Sequence, residues 1–347
     1  MVRTDPSEPM PVKYWSFGGL ILTYWCSARC ASCYLRCGPD RREQMSVDFA
    51  LAVWRGLIEA SPHGCRIHLS GGEPFGDWPH LLDLAAGARS EGLHPLQKVE
   101  TSAFWATDEA QVRRRVRALG EAGMERLVIS TDPYHQQYVP IERPRMAARV
   151  AEQVLGSGRV QVRWRDWLRE GCDTDQLGAA RRKQLFAEYA AKGRDRMTGR
   201  AADRLAPHLQ LKPAQEFADM PCSAALLRSR HVHVDPTGRV FPGTCAGIVL
   251  GTVRDDSVES IWRRLEADHA ERAILGPLAS AGPYALMREA RQHGFQPRPG
   301  YASKCHLCWD IRRRLASRAE HAGELAPLGL YEAETPASSG TAKALDP

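Results

Sequence analysis

The chain has 347 residues, of which 43% are hydrophobic and 25% are charged, as in a globular protein of one large or two ordinary domains. No apolar run approaches the ~20 residues that a membrane-spanning helix needs, and from the polar segment Met1–Lys13 we expect no signal peptide. The net charge of +6 is spread along the chain, which disfavours nucleic-acid binding. We therefore expect a cytoplasmic protein, whose cysteines bind metals or take part in catalysis rather than form disulfides.

Short apolar runs alternate with helical patterns along most of the chain, which predicts repeated βα units around a parallel sheet. The predicted strands are Leu20–Thr23, Ile67–Ser70, Val99–Ser102, Leu127–Ser130, Val160–Trp164 and Val232–Asp235. Ser46 is predicted to cap the first helix and Thr107 the third. In such folds the loops at the carboxyl ends of the strands carry the chemistry.

The first predicted strand ends at three cysteines, Cys26, Cys30 and Cys33, which are followed directly by Tyr34. Their C-x3-C-x2-C spacing is typical of three ligands of a 4Fe–4S cluster. It leaves one iron without a protein ligand, whereas a cluster that only carries electrons usually has a fourth cysteine. Cys37 is the nearest spare thiol, and we interpret it as a neighbour of the cluster rather than a ligand.

Two further strand ends carry residues that suit ligand binding. The second predicted strand runs into Gly71, Gly72, Glu73 and Pro74. Because glycine has no Cβ, the backbone there can approach a ligand closely. The fourth strand ends at Ser130 and Asp132, whose hydroxyl and carboxylate suit hydrogen bonds to a ribose or an amino acid. An ordinary strand-to-helix turn and helix capping are the structural alternatives for these two segments.

The region from residue 213 onward has short strands, Gly/Pro turns and a second cysteine group, made of Cys222, Cys245, Cys305 and Cys308. Four thiolates that include one C-x2-C pair can complete a second 4Fe–4S cluster, and they match a tetrahedral zinc site equally well. The spacing alone leaves both metals open. We interpret His306, inside the C-x2-C pair, as a surface residue.

The three-cysteine motif, with the Gly-Gly-Glu-Pro segment one βα unit later, resembles the radical S-adenosylmethionine (SAM) superfamily. The SPASM/twitch extension of the same superfamily resembles the segment His233–Cys245 together with the two short segments Leu250–Val253 and Ser257–Trp262. Relatives place the cysteine directly after the proline, whereas Gly243 and Thr244 intervene here. The full SPASM set of cysteines is also missing, so we expect one auxiliary cluster, as in twitch-type enzymes.

The resemblance implies a fold of class α/β, a partial (βα)6 TIM-like barrel followed by a small α+β cluster-binding domain. We expect an N-terminal arm at residues 1–14, the barrel at 15–212 and the cluster domain at 213–325. The composition of residues 326–347 predicts a disordered tail.

The resemblance also implies the cofactors and their ligands. SAM would bind the open iron of the first 4Fe–4S cluster, and the Gly-Gly-Glu-Pro segment would hold its amino group. Ser130 and Asp132 would contact the ribose or the methionine part. Thr101-Ser102-Ala103 stands where relatives often have Thr-Asn-Gly. Tyr134 and His135 also face the expected site, and we interpret both as loop packing.

Members of the superfamily reductively cleave SAM to a 5′-deoxyadenosyl radical, which abstracts hydrogen from a substrate. We expect such an oxidoreductase, served by a flavodoxin- or ferredoxin-type electron donor, with no nucleic-acid or membrane partner. Fewer than twenty residues precede the first predicted strand. We therefore expect no leader-binding domain, which favours a small metabolite or a peptide brought by a separate recognition protein. A non-catalytic iron–sulfur or zinc scaffold or electron carrier is the alternative from another class.

Overall fold

The computed structural model describes residues 11–193, 195–243 and 245–332. Within them the strands are β1 (Phe17–Thr23), β2 (Arg66–Gly71), β3 (Leu96–Thr101), β4 (Leu127–Ile129), β5 (Val160–Val162), β6 (His231–Val234), β7 (Arg239–Pro242) and β8 (Gly251–Thr252). The first helices are α1 (Val47–Glu59), α2 (Trp78–Ser90), α3 (Glu109–Glu121), α4 (Glu142–Leu155), α5 (Arg165–Glu170) and α6 (Ala179–Ala191). They are followed by α7 (Arg200–Arg204), α8 (Ser223–Leu226), α9 (Val258–Asp268), α10 (Leu275–Ser280), α11 (Met287–Gln292) and α12 (Lys304–Leu315). Among the described residues, no helix has the length and apolar character needed to cross a membrane.

The strands of the described residues form one sheet in the order β5-β4-β3-β2-β1-β6-β7-β8. Neighbours from β5 to β6 are parallel, and β7 and β8 add antiparallel pairs at the far edge. The α/β class with a parallel sheet is therefore confirmed. In a barrel of six consecutive units the sixth strand would pair with β5, but β6 pairs with β1. The C-terminal region thus continues the sheet of the N-terminal region.

The two faces of the sheet differ in polarity because side chains alternate along each strand. On β1, Leu20 and Leu22 are buried in one cluster with Trp54 of α1. Gly19 and Ile21 point to the opposite face. There the neighbouring strands carry the polar residues His68, Ser70, Lys98 and Glu100. Helices cover the apolar face, so the polar face is left to line cavities.

Helix capping is predicted correctly for α1 and wrongly for α3. The Ser46 hydroxyl accepts a hydrogen bond from the Phe49 amide, as predicted. At α3 the cap is Asp108 rather than Thr107, and its carboxylate accepts from the Gln111 amide at 2.8 Å. A carboxylate at this position also interacts favourably with the helix dipole, so it competes well with the preceding hydroxyl.

The chain remains packed beyond residue 326, where the composition predicts a disordered tail. Leu330 and Tyr331 are buried, and the Tyr331 hydroxyl donates to the Gly247 carbonyl at 2.6 Å. For residues 326–332 the tail prediction is wrong, because two anchoring side chains are hidden in a segment of low average apolar content. Residues 333–347, and residues 1–10 of the expected N-terminal arm, lie outside the described residues.

Candidate cofactor pocket and metal centres

A cavity of about 150 Å³ lies at the carboxyl ends of β1 to β5. It is lined by residues predicted from the sequence, namely Cys26, Cys30, Cys33, Tyr34, Gly71, Gly72 and Ser130. Three residues that were not predicted as ligands, Glu100, His135 and Arg163, add charged groups to its wall. The fold therefore brings four separate strand ends to the three cysteines.

The cysteine loop is held mainly through its main-chain carbonyls by Arg200 of α7. This buried arginine donates from Nη1 to the Cys30 carbonyl at 3.1 Å and from Nη2 to the Cys37 carbonyl at 2.6 Å. Its own amide donates to the Cys33 carbonyl at 2.8 Å. Gly199 precedes it with a φ of +59°, and a Cβ there would lie 2.6 Å from the Cys33 carbonyl oxygen. The sequence has no motif that signals this clamp.

Cys37 supports the loop without entering the cavity. It is buried, and its amide donates to Cys33 Sγ at 3.4 Å. Hydrogen bonding from Cys37 is the largest effect on Cys33 and lowers the pKa of that thiol to about 5. Since the thiolate is the form that binds a metal, this contact favours Cys33 as a ligand.

The two glycines after β2 let that strand end lie against the cysteine loop. The Gly72 amide donates to the Thr23 carbonyl at 2.7 Å. A Cβ on Gly72 would overlap the Trp25 carbonyl oxygen, and Gly71 has a φ of +129°. The two glycines thus pack against the main chain of the cysteine loop on one side and line the cavity on the other side.

Glu73 and Pro74 do not line this cavity, although the sequence groups them with the glycines. The buried Glu73 carboxylate accepts from the Thr101 hydroxyl at 2.8 Å, and from the Ser102 amide at 2.7 Å and hydroxyl at 2.6 Å. Burial raises the pKa of Glu73 above its usual value. The carboxylate therefore fixes the end of β3, where Ala103 has a φ of +62°.

Asp132 also lies behind the cavity wall, whereas Ser130 lines it. The Asp132 carboxylate is fully buried, accepts a hydrogen bond from His135 Nδ1 at 2.9 Å and lies 3.8 Å from Arg163 Nη1. Burial raises the pKa of Asp132, but His135 and Arg163 lower it more, so the net pKa is below the usual value. Asp132 thus positions two cationic side chains at the cavity. The sequence interpretation of His135 as loop packing missed this role, for which the Asp-x-x-His spacing is the available signal.

The four C-terminal cysteines meet around a second cavity of about 300 Å³. Cys222 precedes α8, Cys245 follows β7, and Cys305 and Cys308 lie in the first turns of α12. Among the described residues, no three of these sulfur atoms lie within 4.8 Å of one another. Arg196 Nη1 contacts Cys245 Sγ at 3.2 Å.

Cationic side chains line this second cavity together with the cysteines. Lys304 and Arg312 line it together with Arg196, so three cations face the four sulfurs. His306 is buried and lies outside the lining, so its interpretation as a surface residue is wrong.

The short helix α7 contacts both cysteine sites. Asp203 forms an ion pair with Arg36 of the cysteine loop and another, at 2.8 Å, with Arg313 of α12. Arg200, on the same helix, holds the loop carbonyls as described above. The N-terminal loop and the helix that carries Cys305 and Cys308 therefore share one support.

No family model matches the sequence, and no curated protein matches it with significance. Among solved structures, BtrN in complex with AdoMet and 2-DOIA is similar, with a TM-score of 0.40 and 16% identity, over 77% of this chain and 93% of that one. Streptococcus suis SuiB bound to S-adenosylmethionine has a TM-score of 0.42 and 10% identity, over 76% of this chain and 67% of SuiB. The anSMEcpe structure with bound AdoMet has a TM-score of 0.42 and 11% identity, over 90% of this chain and 95% of that one. At these values the roles of individual residues rest on this chain alone.

Proposed function

We propose that this chain is a radical SAM enzyme in which Cys26, Cys30 and Cys33 hold a 4Fe–4S cluster and the adjoining cavity binds SAM. The observation that supports this most is that the three cysteines, the Gly71–Gly72 pair and Ser130 line one cavity at the strand ends. When bound, the cluster and SAM supply one-electron chemistry that cleaves SAM and abstracts a hydrogen atom from a substrate.

The residues present fit this group. Three thiol side chains line the cavity while Cys37 does not, which matches a cluster with one iron free for a cofactor. Arg163 and His135 offer N–H donors that suit a carboxylate, and Glu100 offers acceptors for an ammonium group. The chain's own part is to orient the cofactor and to exclude water from the cavity.

We further propose that the C-terminal cysteines hold an auxiliary 4Fe–4S cluster rather than zinc. With Zn–S distances of about 2.3 Å, a tetrahedral zinc site holds its sulfur atoms only about 3.8 Å apart. No three of the described sulfurs come within 4.8 Å of one another. This wider spacing around a cavity of about 300 Å³ suits a larger metal group.

The proposed substrate is a small metabolite or a peptide, and the proposed electron donor is a flavodoxin- or ferredoxin-type protein. Both kinds of ligand occur among the similar structures, since BtrN was solved with 2-DOIA and SuiB with a precursor peptide. A cytoplasmic location follows from the expected need to keep the cysteines reduced.

Anaerobic reconstitution of three proteins tests the proposal: the wild type, the Cys26→Ala/Cys30→Ala/Cys33→Ala variant and a matched Cys37→Ala control. Iron, sulfide and zinc are quantified, and SAM cleavage to 5′-deoxyadenosine is then assayed with reductant. Because alanine keeps the main-chain amide that donates to Cys33 Sγ, we expect about eight irons in Cys37→Ala as in the wild type, and about four in the triple variant. Only the triple variant should fail to cleave SAM.

The other outcomes separate the alternatives. About four irons with one zinc would retain the SAM-dependent function and assign zinc to the C-terminal site. A fully loaded wild type that does not cleave SAM would contradict the enzyme and support the scaffold or electron carrier. Loss of cleavage in Cys37→Ala with full iron content would give Cys37 a role beyond support.

A further inference from the structure

Three histidines meet on the polar face of the sheet, outside both cysteine groups. They are His68 on β2 and His231 and His233 on β6, and one ring nitrogen from each lies within 4.8 Å of the others. We propose that these three histidines bind a divalent transition metal of the zinc class, with a fourth position left for water. This site is independent of the proposed SAM chemistry.

The spacing of the rings suits one shared metal ion. His68 Nε2 lies 3.2 Å from His233 Nε2. With Zn–N distances of about 2.0–2.1 Å, two imidazole nitrogens on a tetrahedral zinc lie about 3.4 Å apart. Three histidines with one open position form a known type of zinc site.

The fold makes room for the rings at a residue without a side chain. In the register of the sheet, Gly19 of β1 is paired with His68 on one side and His233 on the other. A Cβ on Gly19 would lie 2.6 Å from Nε2 of both rings. Glycine is therefore required for the two imidazoles to approach each other across β1.

The hydrogen bonds of the cluster leave lone pairs for a metal. His233 Nδ1 donates to the Gly243 carbonyl at 2.6 Å, so the lone pair of this ring is on Nε2. In the metal-free protein that lone pair accepts from His68 Nε2 at 3.2 Å, a contact that a shared metal would replace. Metal-binding histidines commonly donate their second ring N–H to a carbonyl in this way. His68 Nδ1 and His231 Nε2 are buried without a hydrogen-bond partner among the described residues. A buried polar atom without a partner is costly, and a bound metal would satisfy one of them.

The charges around the cluster and the access to it are compatible with a cation. Two cations, Lys98 and Arg126, line the same cavity as His68 and His231. The Lys98 ammonium group is paired with the Glu100 carboxylate at 2.5 Å. A cavity of about 310 Å³, lined by Phe17, His68 and His231 among others, provides an entry path.

A metal here would connect β2 with β6 across β1, and so tie the first strand of the C-terminal region to the N-terminal sheet. Binding to the folded state alone raises stability with metal concentration. A second group, Glu289, His293 and His321, also has ligand atoms within 4.8 Å of one another and provides an internal control.

The test uses the cluster-loaded protein after dialysis against a chelator, with Zn²⁺ as the probe. Bound zinc and the zinc-dependent rise in melting temperature are measured for the wild type, His231→Gln and a matched His293→Gln control. We expect one zinc in the wild type and in His293→Gln. Loss of a second-shell partner costs 10–100-fold in affinity, so loss of a ligand in His231→Gln should weaken binding by about 100-fold or more.

X-ray absorption at the zinc edge of the wild type decides the ligands even if His231→Gln fails to fold, which circular dichroism and iron content will show. Imidazole ligands without sulfur support the proposal. Sulfur ligands, no bound zinc, unchanged affinity in His231→Gln, or loss of zinc in His293→Gln would each overturn it.

Discussion

The two cysteine sites are assembled from the chain in opposite ways. Cys26, Cys30 and Cys33 lie in one loop between β1 and α1, so their proximity is local. Cys222, Cys245 and the α12 pair come from three segments that only the folded C-terminal region brings together. The local group can be recognised from its spacing alone, whereas the dispersed group, although predicted as a set, is brought together only by the fold.

The residues that support the two sites differ in the opposite sense, in how far along the chain they lie from the cysteines. The local loop depends on distant residues, since Arg200 holds the Cys30 and Cys37 carbonyls. The dispersed site is supported by residues close to it, such as Arg312, which donates to the Ala246 carbonyl at 2.9 Å. A motif that is short in sequence can therefore still require long-range contacts for its stability.

The largest expected effect comes from removing the long-range support of the loop. Arg200→Met leaves two buried carbonyls without their charged donors, and we expect a loss of about 3–5 kcal/mol of unfolding free energy. Iron at the N-terminal site should be lost while iron at the C-terminal site is retained. Chemical denaturation and iron analysis measure both.

Arg204→Met is the matched control, because Arg204 is the exposed arginine of the same helix. It should behave like the wild type within about 0.5 kcal/mol. Equal stability of the two variants would mean that the carbonyls of the loop do not depend on α7.

Gly72→Ala is expected to have the next largest effect. The added Cβ would overlap the Trp25 carbonyl oxygen, a main-chain atom that cannot rotate away. We expect a loss of about 1–3 kcal/mol, with weaker iron binding at the loop only. Gly158→Ala is the control, since no atom lies within 4 Å of its added Cβ. If the two variants have the same unfolding free energy, the close approach of β2 to the loop does not require glycine at position 72.

Asp203→Asn tests whether the two sites are coupled through α7. Asp203 pairs with Arg36 of the loop and Arg313 of α12, so we expect a loss of about 1–2 kcal/mol and weaker iron binding at both sites. Burial raises the pKa of Asp203, but the two arginines lower it further, to a net value below the usual one. The contribution is thus present at neutral pH and is lost as pH falls through the folded pKa.

Denaturation of wild type and Asp203→Asn across pH checks this sign. The two stabilities should converge as pH falls below about 4, the pKa of aspartate in an unfolded chain. A constant difference down to low pH, or iron loss at one site only, would contradict coupling through this carboxylate.

Sequence patterns predict the elements of the N-terminal region because each depends on nearby residues. The β2 prediction, Ile67–Ser70, is one residue short at each end of the observed strand. The loop cysteines, the glycine pair and Ser130 were also placed on the right strand ends. Hydrophobic periodicity does not indicate which strands pair in the sheet, however, so it could not show that β6 pairs with β1.

The sequence does not show which way a charged side chain turns, because a carboxylate can turn to either side of a strand end. Glu73 turns to Thr101 and Ser102 rather than to the cavity. Asp132 turns to His135, and the cation rather than the acid lines the wall. Arg200 lies in a five-residue helix without a pattern, so only the folded structure reveals its contacts.

The smallest effect is expected at the dispersed site, where many contacts share the support. The Tyr331 hydroxyl donates to the Gly247 carbonyl at 2.6 Å and accepts from Arg312 at 3.1 Å. Tyr331→Phe keeps the buried ring and removes only these bonds, and the Gly247 carbonyl still accepts from the Ala326 amide. We therefore expect a loss of about 0.5–1.5 kcal/mol with unchanged iron content. Tyr14→Phe is the control, because that side chain is 45% exposed. Iron loss from the C-terminal site of Tyr331→Phe would show that this site depends on single contacts as strongly as the loop does.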